Sequence, residues 1–169
     1  LLLFYSLSQS IQQYYTPGAI IHSVPKHSVI SYRKGNTLFI QSDSAFVNDE
    51  DAYDFRIANY AVNSGVLHTV YLTETKRTKA DDPLFGKYAN GDLVVWAGRV
   101  INRGAFSANR AINYQLVTEK EPSLRDVSTS VVLLGGEIRY RKADRWKEFL
   151  LANDIAFHDL AQSAYRIPE

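Results

Sequence analysis

The feature that most constrains the fold of this chain is a short apolar run near its C-terminal end. Residues 131–134 read Val-Val-Leu-Leu, and the pair Gly135-Gly136 follows directly. A strand without any polar position is typical of a strand that is buried on both faces. Such a strand needs a covering layer on each side, so this run predicts a layered α/β sandwich.

One covering layer is predicted by the residues that follow. Residues 142–153 place Trp146, Phe149 and Leu150 at spacings i, i+3 and i+4, which form one apolar stripe on a helix. The other face carries charged side chains, namely Lys142, Arg145, Lys147 and Glu148. This pattern predicts an amphipathic helix that packs its apolar stripe on a sheet.

The first third of the chain predicts a β-hairpin. Residues 27–33 and 37–41 are rich in apolar and β-branched residues, and the turn signal Lys34-Gly35-Asn36 separates them. Residues 52–62 predict a helix or an irregular loop, because their apolar groups recur at roughly helical spacing. The remaining predictions are strands at 19–24, 66–72, 93–96, 112–118, 155–158 and 164–167, a loop at 74–83 and a short helix at 122–127.

Composition excludes several kinds of site. The length of 169 residues indicates one domain, and an apolar fraction of 46% is enough for a core. The chain has no cysteine, which excludes disulfide bonds, thiolate metal ligands and a cysteine nucleophile. The net charge is +1 and the pI is about 8.1. Evidence for a nucleic-acid partner must therefore come from local clusters of charge.

The N-terminal residues predict a segment that is distinct from the folded domain. Residues 1–5 are apolar, but this run is far too short to span a membrane. The chain contains no methionine, which suggests a fragment of a longer protein. We expect residues 1–16 to be the end of a truncated membrane helix or a linker, with an ordinary amphipathic helix as the alternative. Residues 17–169 are expected to form the folded domain.

The histidine pattern argues against a metallohydrolase. None of the four histidines, His22, His27, His68 and His158, stands in H-x-H or H-E-x-x-H spacing. The chain also lacks the G-x-S-x-G motif of serine hydrolases and the P-loop of nucleotide-binding proteins. We therefore predict no catalytic residues, no metal site and no cofactor.

One alternative keeps a metal-dependent enzyme open. Residues 43–54 contain five carboxylates and no basic residue, and carboxylates are the ligands that hard cations prefer. The spacing does not follow the EF-hand pattern, so a solvated acidic loop is the simpler interpretation. In the alternative, this loop and His22 or His27 would form a non-standard metal site of a nuclease or phosphodiesterase.

Two basic clusters are candidates for contact with nucleic acid. The first is Arg139, Arg141, Lys142 and Arg145, with Tyr140 placed where it can stack on a base. The second is Lys76, Arg77 and Lys79. Acidic residues near the first cluster weaken its field, and a solvated surface is the simpler interpretation of both clusters.

Two stretches of the chain resemble a known family. The first reads V-P-K-H-S-V at residues 24–29 and Q-S-D-S at residues 41–44. It resembles the C-terminal domain of ComEC competence proteins, in which a strand enters a V-G-Q-G-D-A-type turn and a hairpin then leads to a strand that ends in D-T-G. It is similar to a divergent, Bacteroidetes-like branch in which the turn has lost its glycines and its acid.

The second stretch begins at residue 131. The buried strand, the Gly135-Gly136 loop and the helix with Trp146-Lys147 are similar to the strand, G-S-N-type loop and W-K helix of that branch. The terminal strand of the branch reads G-A-F, whereas Ser163-Ala164-Tyr165 stands here.

The resemblance implies a metallo-β-lactamase-like αββα sandwich that is degenerate, since the H-x-H-x-D-H motif of active members is absent. It implies a non-catalytic soluble domain of an inner-membrane channel for DNA uptake in transformation, on the periplasmic side. The domain would be a scaffold or a weak docking surface for single-stranded DNA. Its partners would be the channel portion of its parent chain and other competence proteins. An interaction domain of an unrelated membrane protein is a further alternative.

Overall fold

The computed structural model describes residues 18–72, 85–88, 93–96, 99–102, 112–118 and 129–168. These residues form a mixed α/β structure with two sheets. The strands are β1 (Gly18–His22), β2 (Val29–Lys34), β3 (Thr37–Gln41), β4 (His68–Leu72), β5 (Phe85–Tyr88), β6 (Leu93–Trp96), β7 (Arg99–Asn102), β8 (Ile112–Val117), β9 (Thr129–Leu134), β10 (Phe157–Asp159) and β11 (Tyr165–Arg166).

Helical structure occupies two stretches of the described residues. After a 3-10 turn at Phe46–Asn48, a continuous helical segment, residues 50–63, consists of α1 (Glu50–Tyr53), a π-helical turn (Asp54–Ala58) and α2 (Asn59–Asn63). The second stretch is α3 (Tyr140–Ala152). Among the described residues, no helix has both the length and the apolar character needed to cross a membrane.

The two sheets differ in strand direction. The first sheet has the order β11-β1-β2-β3-β4 and is antiparallel except for the pair β3 and β4. The second has the order β10-β9-β8-β7-β6-β5, with parallel pairs from β10 to β7 and antiparallel pairs from β7 to β5. The helical segment 50–63 connects β3 to the parallel strand β4, which is the usual role of a crossover helix.

Three apolar clusters show where the helices and sheets pack. The cluster between the sheets includes Ile21 and Tyr32 of the first sheet and Leu116 and Leu133 of the second. A second cluster packs the first sheet on the helical segment 50–63, through Leu38, Ile40, Phe46, Ile57 and Ala61. The third packs the second sheet on α3, through Val117, Val132, Leu134, Trp146 and Leu150. Each sheet therefore has one face on the other sheet and one face on a helix.

Strand β9 carries the burial that its sequence predicts. Leu133 belongs to the cluster between the sheets, whereas Val132 and Leu134 lie beneath α3. All three side chains are fully buried. The alternation follows from the two-residue repeat of a strand, which sends successive side chains to opposite faces.

The predicted hairpin is confirmed, and its return strand has the predicted limits. The loop between β2 and β3 consists of Gly35 and Asn36, with Lys34 paired to Thr37. Gly35 has a φ of +57°, a conformation that glycine adopts without a steric penalty and that the first position of a type II′ turn requires.

Most predicted elements are confirmed within one to three residues at each end. The helical interpretation of residues 52–62 is correct, and so are the terminal strands β10 and β11. Strands β5 and β7 were not predicted. The predicted helix at 122–127, the predicted loop at 74–83 and the segment 1–16 lie outside the described residues.

We expect Leu133→Ala to lower the free energy of unfolding by about 2–5 kcal/mol, because it removes buried methyl groups and leaves a cavity between the sheets. Urea denaturation followed by circular dichroism measures this change. Leu151→Ala is the matched control: Leu151 is 70% exposed, and the expected change is within about 0.5 kcal/mol. Equal effects of the two substitutions would contradict the arrangement of β9 between two layers.

Candidate functional site at the loop edge

Three loops meet at one edge of the domain, and together they are called the loop edge here. They are the β1–β2 loop (residues 23–28), the β3–α1 loop (42–49) and the β9–α3 loop (135–139). Strands β1 and β3 run in the same direction on either side of β2, so their carboxyl ends lie together. A Cβ on Gly136 would lie 2.9 Å from the carbonyl oxygen of Val24, which places the third loop beside the first.

Asp43 joins the first two loops. Its Oδ1 accepts hydrogen bonds from the backbone amide of Phe46 at 2.9 Å and from Nδ1 of His27 at 3.0 Å. Its Oδ2 accepts from the backbone amide of Ser28 at 3.3 Å. Partial burial alone would raise the pKa of Asp43, but the hydrogen bonds from Phe46, His27 and Ser28 lower it below its ordinary value of 3.8.

His27 extends this connection to the start of the helical segment. Its Nε2 lies 3.3 Å from Oδ2 of Asp49, whose Oδ1 caps α1 by accepting from the amide of Ala52 at 3.0 Å. The imidazole is 8% exposed and meets the ring of Phe46 edge-on. The two ring nitrogens of His27 therefore face two different carboxylates, with Nδ1 beside Asp43 and Nε2 beside Asp49.

The β1–β2 loop contains a tight turn that presents a basic side chain. The amide of His27 donates to the carbonyl of Val24 at 3.3 Å, with Pro25 and Lys26 at the two central positions. Lys26 has a φ of +67°, a conformation that the third position of a type II turn requires and that glycine usually supplies. The exposed Lys26 side chain therefore lies at the loop edge.

His22 lies in a different environment from His27. It is buried on β1, where Nε2 lies 2.6 Å from the hydroxyl of Ser31 and the ring meets Tyr60 edge-on. Burial lowers the pKa of His22 to about 4, so this imidazole is neutral at physiological pH. His22 and His27 thus have separate hydrogen-bond partners.

The structure shows how the acidic stretch 43–54 meets His27, which bears on the alternative hypothesis of a metal site. The acidic stretch 43–54 does reach His27, as that hypothesis required, but through hydrogen bonds of Asp43 and Asp49 to opposite sides of the ring. Within the described part of the chain, no group of three or more histidine and acidic side chains is arranged to hold a metal ion.

The first basic cluster lies at the beginning of α3. Arg139 is the N-cap residue, and Arg141 and Arg145 are exposed one turn apart on the same face of the helix. Lys142 is half-buried on the flank of the same helix. The structure therefore brings these basic residues to one region beside the loop edge. The second cluster, Lys76, Arg77 and Lys79, lies outside the described residues.

A cleft of about 690 Å³ opens beside the β1–β2 turn, and sequence reasoning did not anticipate it. The lining residues are Pro25, Lys26, Asp49, Asp51, Ala52, Asp54, Phe55 and Arg56. Phe55 is 74% exposed, and the guanidinium of Arg56 lies 4.9 Å from its ring centroid. The acidic residues were noted in the sequence, but nothing there separated Phe55 from the core aromatics.

We expect Asp43→Asn to lower the free energy of unfolding at pH 7 by about 1 kcal/mol, since an amide accepts these hydrogen bonds more weakly than a partly exposed carboxylate. Because the pKa of Asp43 is lower in the folded protein, the ionised carboxylate stabilises the fold fully above its ordinary pKa of 3.8. This stabilisation is lost as the pH falls through the pKa of Asp43 in the folded protein. The difference between the wild-type protein and the variant should therefore narrow below about pH 4.

Urea denaturation between acidic and neutral pH tests this expectation. Asp51→Asn is the control. It makes the same chemical change at an exposed aspartate that lacks the hydrogen bonds of Asp43. A difference between the wild-type protein and Asp43→Asn that does not depend on pH would contradict the role of the ionised carboxylate.

Comparison with known proteins identifies the family. The model of the ComEC C-terminal domain matches residues 19–168, a range that contains all three loops of the loop edge. Neither the curated proteins nor the solved structures gave a match. Because the matched residues make up most of the chain, it belongs to the family of ComEC C-terminal domains.

Proposed function

We propose that this chain is a non-catalytic, metallo-β-lactamase-like domain of a ComEC-type channel for DNA uptake, with a weak docking surface for single-stranded DNA. Membership of the ComEC C-terminal domain family connects the chain with DNA uptake in competence. The order of packing, in which two sheets face each other and each carries a helix outside, supports a degenerate αββα sandwich.

The observation that carries the docking proposal is the charge at the beginning of α3. Arg139, Arg141 and Lys142 precede or open the first turn, and that turn contains no acidic residue. The positive end of the helix dipole makes cations unfavourable there, typically by a few tenths of a kcal/mol to about 1 kcal/mol each. The same dipole and the same cations attract phosphate. Basic residues at the start of α3 therefore lower the stability of the helix but favour the binding of an anion.

Exposure supports a contact with the nucleic-acid backbone rather than with the base sequence. Arg141 and Arg145 are exposed, and Tyr140 beside them is 78% exposed. Arginines neutralise phosphates and an exposed tyrosine stacks on bases of any sequence. Glu148 lies on the same face, which keeps the expected affinity low.

The setting of the domain is also part of the proposal. We place it on the periplasmic side of the inner membrane, next to the channel portion of its parent chain and within reach of other competence proteins. There it would act as a scaffold that holds the loop edge near the path of the DNA.

We expect single-stranded DNA to bind weakly and to lose affinity steeply as salt rises, because phosphate contacts release counterions. Fluorescence anisotropy of a labelled oligonucleotide across a salt series measures this. Arg141→Gln combined with Arg145→Gln should weaken binding and reduce the salt slope by about two counterion contacts. Arg166→Gln, which changes an exposed arginine on β11, should leave binding unchanged. Absence of binding at low salt would reduce the domain to a scaffold.

We also expect the purified protein to leave a DNA probe intact when Zn²⁺ or Mn²⁺ is added. Two-metal hydrolysis needs several histidine and aspartate ligands that converge on the ions, and the chain contains no H-x-H-x-D-H motif. Metal content by mass spectrometry and gel analysis of the probe test this together. Metal-dependent cleavage that Asp43→Asn abolishes would support the alternative of a non-standard hydrolase and overturn the non-catalytic proposal.

A further inference from the structure

Strand β4 forms one edge of the first sheet, since it pairs with β3 alone among the described residues. The strands at the other sheet edges are short or charged: β11 has two residues, β10 has three, and the sequence of β5 contains a lysine. Very short strands and lysine side chains keep an edge from pairing with another chain. β4 has five residues without a lysine, an arginine, an acidic residue or a proline, and it follows β3 in an unbroken register. Of these edge strands, β4 is therefore the best suited to accept a further strand.

The two faces of β4 meet different surroundings, because successive side chains of a strand point to opposite faces of the sheet. Thr69 lies on the face that the helical segment 50–63 covers, where its hydroxyl is 3.2 Å from that of Tyr53. Leu72 lies on the opposite face, in the cluster between the sheets. The alternation places Val70 on the same face as Leu72. A strand added beside β4 would therefore send its own side chains alternately to these two faces.

The helix-covered face carries negative charge near the end of β4. Tyr71 packs with the cluster beneath the helical segment. Partial burial raises the pKa of Tyr71 above its ordinary value of 10.0, and the nearby charges of Tyr53, Asp54 and Glu50 raise it further. Both carboxylates are exposed, and neither forms an ion pair within the described part of the chain. A cationic side chain placed beside Tyr71 would meet both of them.

Apolar area is exposed along the same edge. Val70, in the middle of the strand, is 40% exposed. Leu67, directly before β4, is 73% exposed, although its amide is held by a 2.8 Å hydrogen bond to the carbonyl of Asn36. A partner strand would remove part of this apolar area from water, and that burial favours association. The edge thus offers apolar contacts in addition to the main-chain hydrogen bonds of a sheet.

We propose that the edge of β4 binds an extended segment of a partner protein as an additional strand, with basic side chains at alternate positions. Its lysine or arginine side chains lie toward Glu50 and Asp54, and its apolar side chains lie toward Val70. Charge complementarity favours this occupant over a second copy, because β4 itself contains no lysine or arginine to meet those carboxylates. The proposal does not depend on DNA docking, since α3 packs on the other sheet.

Fluorescence anisotropy of a short labelled peptide in which lysine and valine alternate tests the proposal. We expect this peptide to bind the intact chain, and two control peptides to bind at least about tenfold more weakly. The first control has glutamate in place of each lysine and is repelled by the carboxylates. The second keeps the side chains but has N-methylated backbone amides, which removes the donors of a β-ladder. Hydrogen exchange in the complex should be slower at the amides of residues 68–72 and unchanged in α3.

Substitutions on the protein separate the two contributions. Glu50→Lys with Asp54→Lys should weaken binding of the lysine–valine peptide about tenfold, because repulsion replaces attraction at exposed sites. Val70→Lys should also weaken binding, since a lysine protects an edge strand. Glu148→Lys is the matched control: it reverses an exposed acidic residue on α3 and should leave binding unchanged. Circular dichroism should show that all variants are folded.

Three outcomes would overturn the proposal. The first is absence of peptide binding at low salt. The second is equal binding of the N-methylated peptide, which would mean that no ladder forms. The third is protection of residues 68–72 that appears without peptide as the protein concentration rises, which would identify a second copy as the occupant. Arg141→Gln with Arg145→Gln should bind the peptide like the wild type, so failure of this proposal is distinct from failure of DNA docking.

Discussion

The rest of the structure depends on one constraint, which is that neither sheet can leave a face open. Strand β9 shows it most clearly, because Val132, Leu133 and Leu134 are all fully buried on alternating faces. Burying an apolar side chain of this size contributes about 1.5–3 kcal/mol relative to leaving it in water. The apolar stripe of α3 and the inward face of the segment 50–63 meet this need on the outer faces. The sheets cover each other on the inner ones.

Because most of the apolar burial that holds the layers lies in the strands and helices, the exposed positions of the loop edge can vary in chemistry without loss of the fold. The close contact of Gly136 with the Val24 carbonyl fixes the β9–α3 loop against the β1–β2 loop. The hydrogen bonds of Asp43 then fix the β3–α1 loop against the same turn. The β9–α3 loop, which leads into α3, therefore lies beside the turn whose Pro25 and Lys26 line the cleft.

Sequence patterns predicted the elements that local forces determine. The hairpin was predictable because Gly35 meets the conformational need of a two-residue turn, and α3 because its apolar stripe is local. Strands β5 and β7 were missed, because neither has the uninterrupted apolar run by which the equally short β6 was predicted. The basic residues of α3 were identified from the sequence, but which of them are exposed on one face became clear only from the limits and packing of the helix. The bond from His27 to Asp43 joins residues 16 positions apart, and no local pattern reports such a contact.

The loop edge also shows how hydrogen bonds can hold a turn that departs from the family motif. By the resemblance of residues 24–29 to the V-G-Q-G-D-A turn, His27 stands at a glycine position and Ser28 at the acid position. The Ser28 amide binds Asp43, which belongs to the Q-S-D-S stretch that stands at the D-T-G motif of the family. The His27 side chain then adds bonds to Asp43 and Asp49 that a glycine cannot make. Hydrogen bonds within the protein thus hold the two carboxylates on either side of a single imidazole ring.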